Sequence, residues 1–201
     1  MPRAGLDQAS VTEAGAALVD EVGFAYLSMG LLAERLGVKA PSLYKHVASQ
    51  ADLAHRIAIL SATELGDAGR DATQGRVGSD ALAAAAHALR RFVREHPGRY
   101  AAMNNARPDG PDDPLIAASN RALGSFAAVL LGYSMDPGQE IHALRTLRSV
   151  LHGFATLEAE GGFQLDTDVD ESFTWLIDFI DRGLQAITSN PGPAHDRRPP
   201  L

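Results

Sequence analysis

Ser28-Met29-Gly30-Leu31-Leu32-Ala33-Glu34-Arg35-Leu36-Gly37-Val38-Lys39-Ala40-Pro41-Ser42-Leu43-Tyr44-Lys45-His46-Val47 is the stretch that decides how this chain folds. Ser28 is a good helix N-cap, because its hydroxyl can accept from an otherwise unpaired N–H of the first turn. Met29, Leu32, Ala33 and Leu36 follow at steps of +3, +4 and +7, one face of a helix, and Gly37 closes the run. A shorter helix is expected to begin near Ala40-Pro41, since proline suits the first helical turn. It carries Leu43 and Val47 inward at i, i+4. Upstream, Val11, Ala14, Gly15, Leu18 and Val22 again share one helical face. Gly23 is placed to end that helix in a left-handed conformation.

Two helices across a tight glycine turn have the dimensions of a helix-turn-helix, whose second helix enters the major groove while the first braces it across the backbone. Leu32, Leu36, Leu43 and Val47 can share a small core with Val11, Leu18 and Val22. Ser42, Tyr44, Lys45 and His46 are then left outside, offering a phenol, a cation and an imidazole to phosphates, and Lys39 can reach the backbone from the other side. On these residues alone two plainer readings stay open. Tyr44 could pack its ring as a half-buried core residue, and Lys45 and His46 could be an ordinary solvated face.

Outward from this stretch the spacing remains helical. A fourth helix is expected from Ser49 or Gln50 to about Gly69. The Gly-rich, polar segment 67–78 reads as its end plus a linker. A fifth helix is expected from Ser79 as N-cap to His96-Pro97. Further helices are expected over about Gly98–Asn105, Pro114–Leu131, Pro137–Glu160 and Asp170–Ile187. The turn Arg107-Pro108-Asp109-Gly110-Pro111 breaks the chain between two of them. The reading is an all-α chain of about nine helices without strands or repeats. Its parts are a three-helix head over 1–56, a helical body over 57–188, and a proline-rich tail over 189–201 expected to be disordered.

Composition narrows the function. The chain has 201 residues, 45% of them hydrophobic and 21% charged, which excludes disorder and fibrous folds. No uninterrupted apolar run approaches the ~18 residues of a membrane span, and Met1–Gln8 has no apolar signal core, so no membrane partner and a cytoplasmic location are expected. The absence of cysteine removes disulfides, thiolate zinc sites and a Cys nucleophile. The seven histidines show no metal-ligand spacing, and neither a phosphate loop nor a Gly-x-Ser-x-Gly elbow occurs. No enzyme, metal or cofactor is therefore expected. The net charge is −7, and residues 1–60 hold five Lys/Arg against six Asp/Glu. What points to DNA is thus the order and spacing of residues. The chain's only two lysines, Lys39 and Lys45, both fall on the expected reading surface.

The quoted stretch resembles the DNA-binding signature of the TetR/AcrR family of bacterial transcriptional regulators: Ser at the start of helix two, then Leu-Ala-x-x-Leu-Gly-Val, a small pair, Leu-Tyr and a basic-aromatic ending. The likeness spans about Val11–Ile57. It implies phosphate contacts by Ser28, Tyr44, Lys45 and His46, and base-edge contacts by Ala40, Pro41 and Ser42. Two positions depart from the pattern. Lys39 stands where a small N-cap is usual, and Gln50 stands where a lysine is, able to hydrogen-bond a phosphate without adding charge. A shallower salt dependence follows, since each neutralised phosphate contributes ~0.9 to the slope. The segment 148–163, with His152-Gly153, resembles the Trp-His-Gly subgroup of C-terminal domains, with Leu151 in place of the tryptophan.

The resemblance further implies a homodimer on a palindromic double-stranded operator, released by a small-molecule inducer held among the C-terminal helices. Heads one turn apart sit about 34 Å from each other. Leu144, Leu147, Leu151 and Phe154 alternate steps of three and four, a seam suited to a partner helix. The last helix, with Trp175, Phe179 and Ile180, is apolar over more than one face. Leu144, Leu147, Leu151, Trp175, Phe179 and Ile180 are the expected interface, the alternative being that both helices fill an internal core. Phe92, Met103, Asn104, Phe126 and Phe154 are candidate cavity walls. His152 either faces that cavity or is held in a structural hydrogen bond. A competing reading is a ligand- or partner-binding helical protein whose head has weak or lost DNA binding.

Overall fold

The first helix opens on a reciprocal cap. Asp7 accepts from the Ser10 N–H at 2.8 Å, and the Ser10 hydroxyl accepts from the Asp7 N–H at 3.0 Å. From there a computed structural model describes residues 6–136 and 138–189. Among them lie nine α-helices and no strand: α1 (Gln8–Val22), α2 (Met29–Leu36), α3 (Ala40–Leu43), α4 (Gln50–Thr73), α5 (Gly78–Glu95), α6 (Pro97–Asn105), α7 (Pro114–Leu131), α8 (Glu140–Ala159) and α9 (Val169–Ser189). A 3-10 turn, Phe24–Tyr26, joins α1 to α2. Of the tail expected over 189–201, Ser189 ends α9 and residues 190–201 lie outside the described residues.

The head is built as its sequence dictates. Ser28 accepts from the Leu31 N–H at 3.2 Å, and Gly37 takes the left-handed conformation, φ 66° and ψ 32°, that ends α2. α4 starts on Ser49, whose hydroxyl accepts from Asp52 N–H at 3.0 Å while the Asp52 carboxylate accepts from Ala48 N–H at 2.8 Å. Val11, Leu18, Leu32, Leu43, Val47, Leu53 and Ile57 close a dry core between α1, α2, α3 and α4. Three details differ from expectation. Gly23 does have positive φ (90°), but with ψ 146° it is extended and launches the 3-10 turn. Val22, 37% exposed, stays out of the core. α3 is a single turn, so Tyr44, Lys45 and His46 sit in the turn that follows it. Lys39 supplies no side-chain cap to that helix.

In the body, α4 runs on through most of the expected linker to Thr73. Its glycines are contact surfaces: a Cβ on Gly66 would stand 2.9 Å from the backbone nitrogen of Ala122, so only glycine lets α7 lie this close. Ser79 does not cap α5, which begins at Gly78. Its hydroxyl instead donates to Asp181 of α9 at 2.8 Å. α7 is apolar and long enough, by length and composition, to cross a membrane. It carries Asn120 and Arg121 midway and packs along α4. A second core, including Leu82, Leu89, Val93, Leu147, Leu151 and Phe173, fills the body.

α6 belongs to both halves. Ala102 lies in the head core while Tyr100 lies in the body core. Gly98 presses on the Val19 carbonyl of α1, where a side chain would collide with backbone.

Candidate DNA interface and interior cavity

On the head, the side chains singled out in sequence fall at the start of α2, on α3 and the turns beside it, and at the start of α4. Tyr44 is 53% exposed, Lys39, Pro41, Lys45 and Gln50 are exposed, and Ser28, Ala40, Ser42 and His46 are half-buried. The His46 carbonyl accepts from Gln8 Nε2 at 3.2 Å, which ties this turn to the start of α1. The other cations of the head among the described residues are neutralised nearby. Arg35 makes a two-pronged pair with Glu21 at 2.6 and 2.9 Å, and Arg56 pairs with Asp52 at 2.9 Å. Arg35 holds the Glu21 carboxyl below its ordinary range through that hydrogen-bonded contact. Lys39 and Lys45 have no such partner among the described residues. A one-turn helix with two unpaired cations and an exposed phenol beside it can meet backbone phosphates from both sides.

The body holds an open-mouthed cavity of about 180 Å³ between α4, α5, α6, α7 and α8. Buried Leu65, Leu89, Leu115 and Tyr100 form its depth. Arg107, Ser119, Leu123 and Arg148 stand at its exposed rim. Of the walls expected from sequence, Met103, Asn104 and Phe126 line it.

Phe92, His152 and Phe154 do not line it. Phe92 is buried against the His96 ring, centroids 5.2 Å apart, and borders a separate shallow cleft. His152 stands behind the wall, its Nδ1 sharing a hydrogen bond with the Tyr100 hydroxyl at 2.8 Å. Phe154 packs on Phe163 and Phe173, beneath the Arg90 guanidinium that Glu158 and Asp170 hold at 2.6 and 2.7 Å. Burial raises the Tyr100 pKa, and the nearby charge of Arg148 opposes that shift.

The seam expected on α8 divides differently. Leu147 and Leu151, each 1% exposed, and Ile180, 7% exposed, are spent on the protomer's own core. Leu144 turns to the cavity. Heptad-like spacing on α8 is satisfied by α5 and α9 of the same chain, which spacing alone cannot distinguish from a partner helix. Trp175 and Phe179 remain outside, 67% and 64% exposed, their rings stacked with centroids 5.5 Å apart.

Sequence reading missed Tyr100, Arg107, Leu115 and Arg148. Arg107 and Arg148 carried the weakest signal, lying in a turn and on an exposed helix face, where arginine is commonplace.

Cavity and head meet through α6. Asp20 of α1 accepts from the Arg99 N–H at 2.9 Å, lies 2.9 Å from the Arg99 Nε, and accepts from His96 Nδ1 at 3.0 Å. Arg99 also donates to Glu64 of α4 at 2.8 Å. On the next turn the same helix presents Met103 and Asn104 to the cavity. A further tie joins His55 Nε2 of α4 to Asp113 at 3.0 Å, just before α7. Backbone N–H groups of Asp109 and Leu115, with His55, hold the Asp113 carboxyl below its usual pKa. Among the described residues no three metal-ligating side chains converge.

A helix-turn-helix head is thus joined by a shared helix to a helical body that holds a cavity. The comparisons give the class. Residues 11–57 match the family described as bacterial regulatory proteins, tetR family, and residues 82–180 match the tetracyclin repressor-like C-terminal domain. The chain is 35% identical over 192 residues to the HTH-type transcriptional regulator Rv0681 of Mycobacterium tuberculosis, covering 95% of this chain and 87% of that protein. It is 32% identical over 187 residues to the HTH-type regulator YobS of Bacillus subtilis, covering 91% and 95%. The fold is also that of a TetR variant from Acinetobacter baumannii crystallised with minocycline, with TM-score 0.68, 22% identity, and 92% and 100% of the two chains covered. This chain belongs to the TetR family of DNA-binding transcriptional regulators, a family of regulators and not of enzymes.

Proposed function

We propose that this protein is a cytoplasmic repressor that binds a palindromic operator as a homodimer and leaves it when a small molecule occupies the body cavity. One observation carries the reading: α6 lines the cavity with Met103 and Asn104 and, one turn earlier, grips α1 of the head through Gly98 and Arg99. A ligand that fits better when α6 is displaced draws the head with it. It lowers operator affinity only to the extent that it binds the mis-spaced conformer more tightly. The minocycline complex of the A. baumannii protein supports small-molecule binding by this fold.

In this reading residues 1–56 form the reading unit and 57–188 the sensing and pairing unit. Lys39, Ser28, Tyr44, Lys45, His46 and Gln50 contact phosphates, while Ala40, Pro41 and Ser42 face base edges. Trp175 and Phe179 are the exposed part of the dimer surface. The body is assigned to the Trp-His-Gly subgroup, with His152 bracing Tyr100 at the cavity wall.

Fluorescence anisotropy with duplexes from the chain's own upstream region tests the reading. Saturable, salt-dependent binding by a dimer is expected. The absence of binding at low salt by the folded protein would favour the second reading, a sensing protein with a silent head. The balance of five basic against six acidic residues over 1–60 motivates that second reading.

A further inference from the structure

We propose that the cavity takes an amphipathic anion: an apolar chain seated among the leucines, with a carboxylate held at the mouth by Arg107 and Arg148. This rests on the reading of the cavity as the ligand site and assigns the ligand's chemical class. Three observations support it. The first is charge. Among the described residues, two guanidiniums line the cavity and no aspartate or glutamate does, in a chain whose net charge is −7. Elsewhere the cations near the domain junction and in the body core are neutralised, Arg99 by Asp20 and Glu64, Arg90 by Glu158 and Asp170.

The second is donor geometry. Arg107 Nη1 donates to the carbonyls of Asn104 and Ala106 at 3.1 and 2.8 Å, which fixes the guanidinium at the rim. Nε and Nη2, an edge suited to side-on carboxylate recognition, have no partner among the described residues. Arg148 makes no hydrogen bond or ion pair there either. The third is polarity along the depth. Leu65, Leu89 and Leu115 are buried, whereas Arg107 and Arg148 are exposed, so an apolar tail lies inward and a charged head meets its partners before losing all its water.

A cation entering this cavity would meet two like charges and no counter-ion. A neutral ligand covering the rim would replace the water on both guanidiniums only with weaker, uncharged contacts. The carboxylate repairs both defects. Asn104, half-buried beside the rim, donates one amide hydrogen to the Tyr100 carbonyl at 3.0 Å and keeps the other to select among acids.

The test is isothermal titration of the full chain with decanoate, decanol, methyl decanoate and decylamine, each below its aggregation concentration. Decanoate should bind ~10-fold or more tightly than the others, as a charge-assisted paired contact requires. That preference should vanish in the double variant Arg107→Gln, Arg148→Gln, while decanol binds as before. Circular dichroism and thermal melting confirm that the double variant folds. Decanol or decylamine binding as tightly as decanoate, or a preference for decanoate surviving in the double variant, would overturn the anion assignment and leave the cavity as a ligand site. Failure of all four to bind the native chain would overturn the anion assignment together with the cavity reading on which it rests.

Discussion

The Arg99 guanidinium stands 2.9 Å from the Asp20 carboxylate, joining the cavity helix α6 to the first helix of the head. Both side chains are only 13% exposed, so neither is readily compensated by water. Asp20→Ala leaves the Arg99 N–H and one side of its guanidinium unpaired, although Glu64 still holds the other side. A loss of roughly 1–3 kcal/mol is expected, the cost of unsatisfied buried donors, read as a lower denaturant midpoint with an unchanged slope. The more telling result is in coupling. The variant should still bind duplex and ligand, but the ligand should release DNA less completely. Unaltered release would show that the signal does not pass through this pair.

Next to that pair, Gly98 meets the Val19 carbonyl so closely that a Cβ has no place to go. Backbone cannot rotate away as a side chain can, so Gly98→Ala must push α6 off α1. Overpacking of this kind costs roughly 3 kcal/mol. The matching control is Gly124→Ala in α7, where a Cβ meets nothing within 4 Å. There alanine should raise stability by up to about 1 kcal/mol through helix propensity alone. Opposite signs for these two glycines in thermal melts are expected. Equal effects would mean that the α1–α6 contact is looser than described.

Much of this fold is legible in the residues, and the exceptions have physical causes. α2, its serine cap and its glycine stop follow from local rules, because caps and left-handed turns involve neighbours in sequence. α7 begins and ends where its proline and apolar spacing place it. Gly69 instead reads as the end of α4, in a Gly-rich segment, when it is a packing surface for Ser125 of α7, since a partner helix distant in sequence leaves no local trace. Leu147 and Leu151 read as an intersubunit seam for the same reason: spacing reports that a face is buried, not by which chain. At the cavity, Met103, Asn104 and Phe126 were recoverable as apolar bodies with one amide. Arg107 and Arg148 were not, because an arginine becomes informative only when its lack of a carboxylate partner is known.

On the head, Lys39 and Lys45 carry the unpaired charge that remains, among the described residues, after Arg35 and Arg56 are neutralised. Lys45→Ala should weaken binding to all duplexes to a similar degree and lower the salt slope by ~0.9, the signature of one lost phosphate contact. Tyr44→Ala should also weaken binding, by about 1 kcal/mol for a lost neutral hydrogen bond, with no change in slope because the phenol is uncharged. Helicity and dimerisation should be intact, since both side chains are exposed. Anisotropy titrations across a salt series separate the two. Wild-type affinity in both variants would remove these residues from the interface.

Trp175 and Phe179 stack in parallel on the outer face of α9, two large rings left in water while Phe173, Ile177 and Ile180 of the same helix fill the core. Aromatic side chains of this size each bury ~150–250 Å² when covered, so leaving the pair exposed forfeits a large apolar contribution that a second copy of α9 could recover. In the proposed homodimer, isologous pairing sets the same exposed face of each copy against the other. Trp175→Ala with Phe179→Ala should therefore leave the protomer's melting profile at micromolar dilution nearly unaltered and convert the proposed dimer to monomer in sedimentation velocity. Because one head reads only a few base pairs, operator affinity should fall with the dimer and recover when two variant protomers are joined by a leucine-zipper fusion. A variant that sediments as a dimer would move the pairing surface elsewhere. A monomer with full operator affinity would separate pairing from DNA recognition.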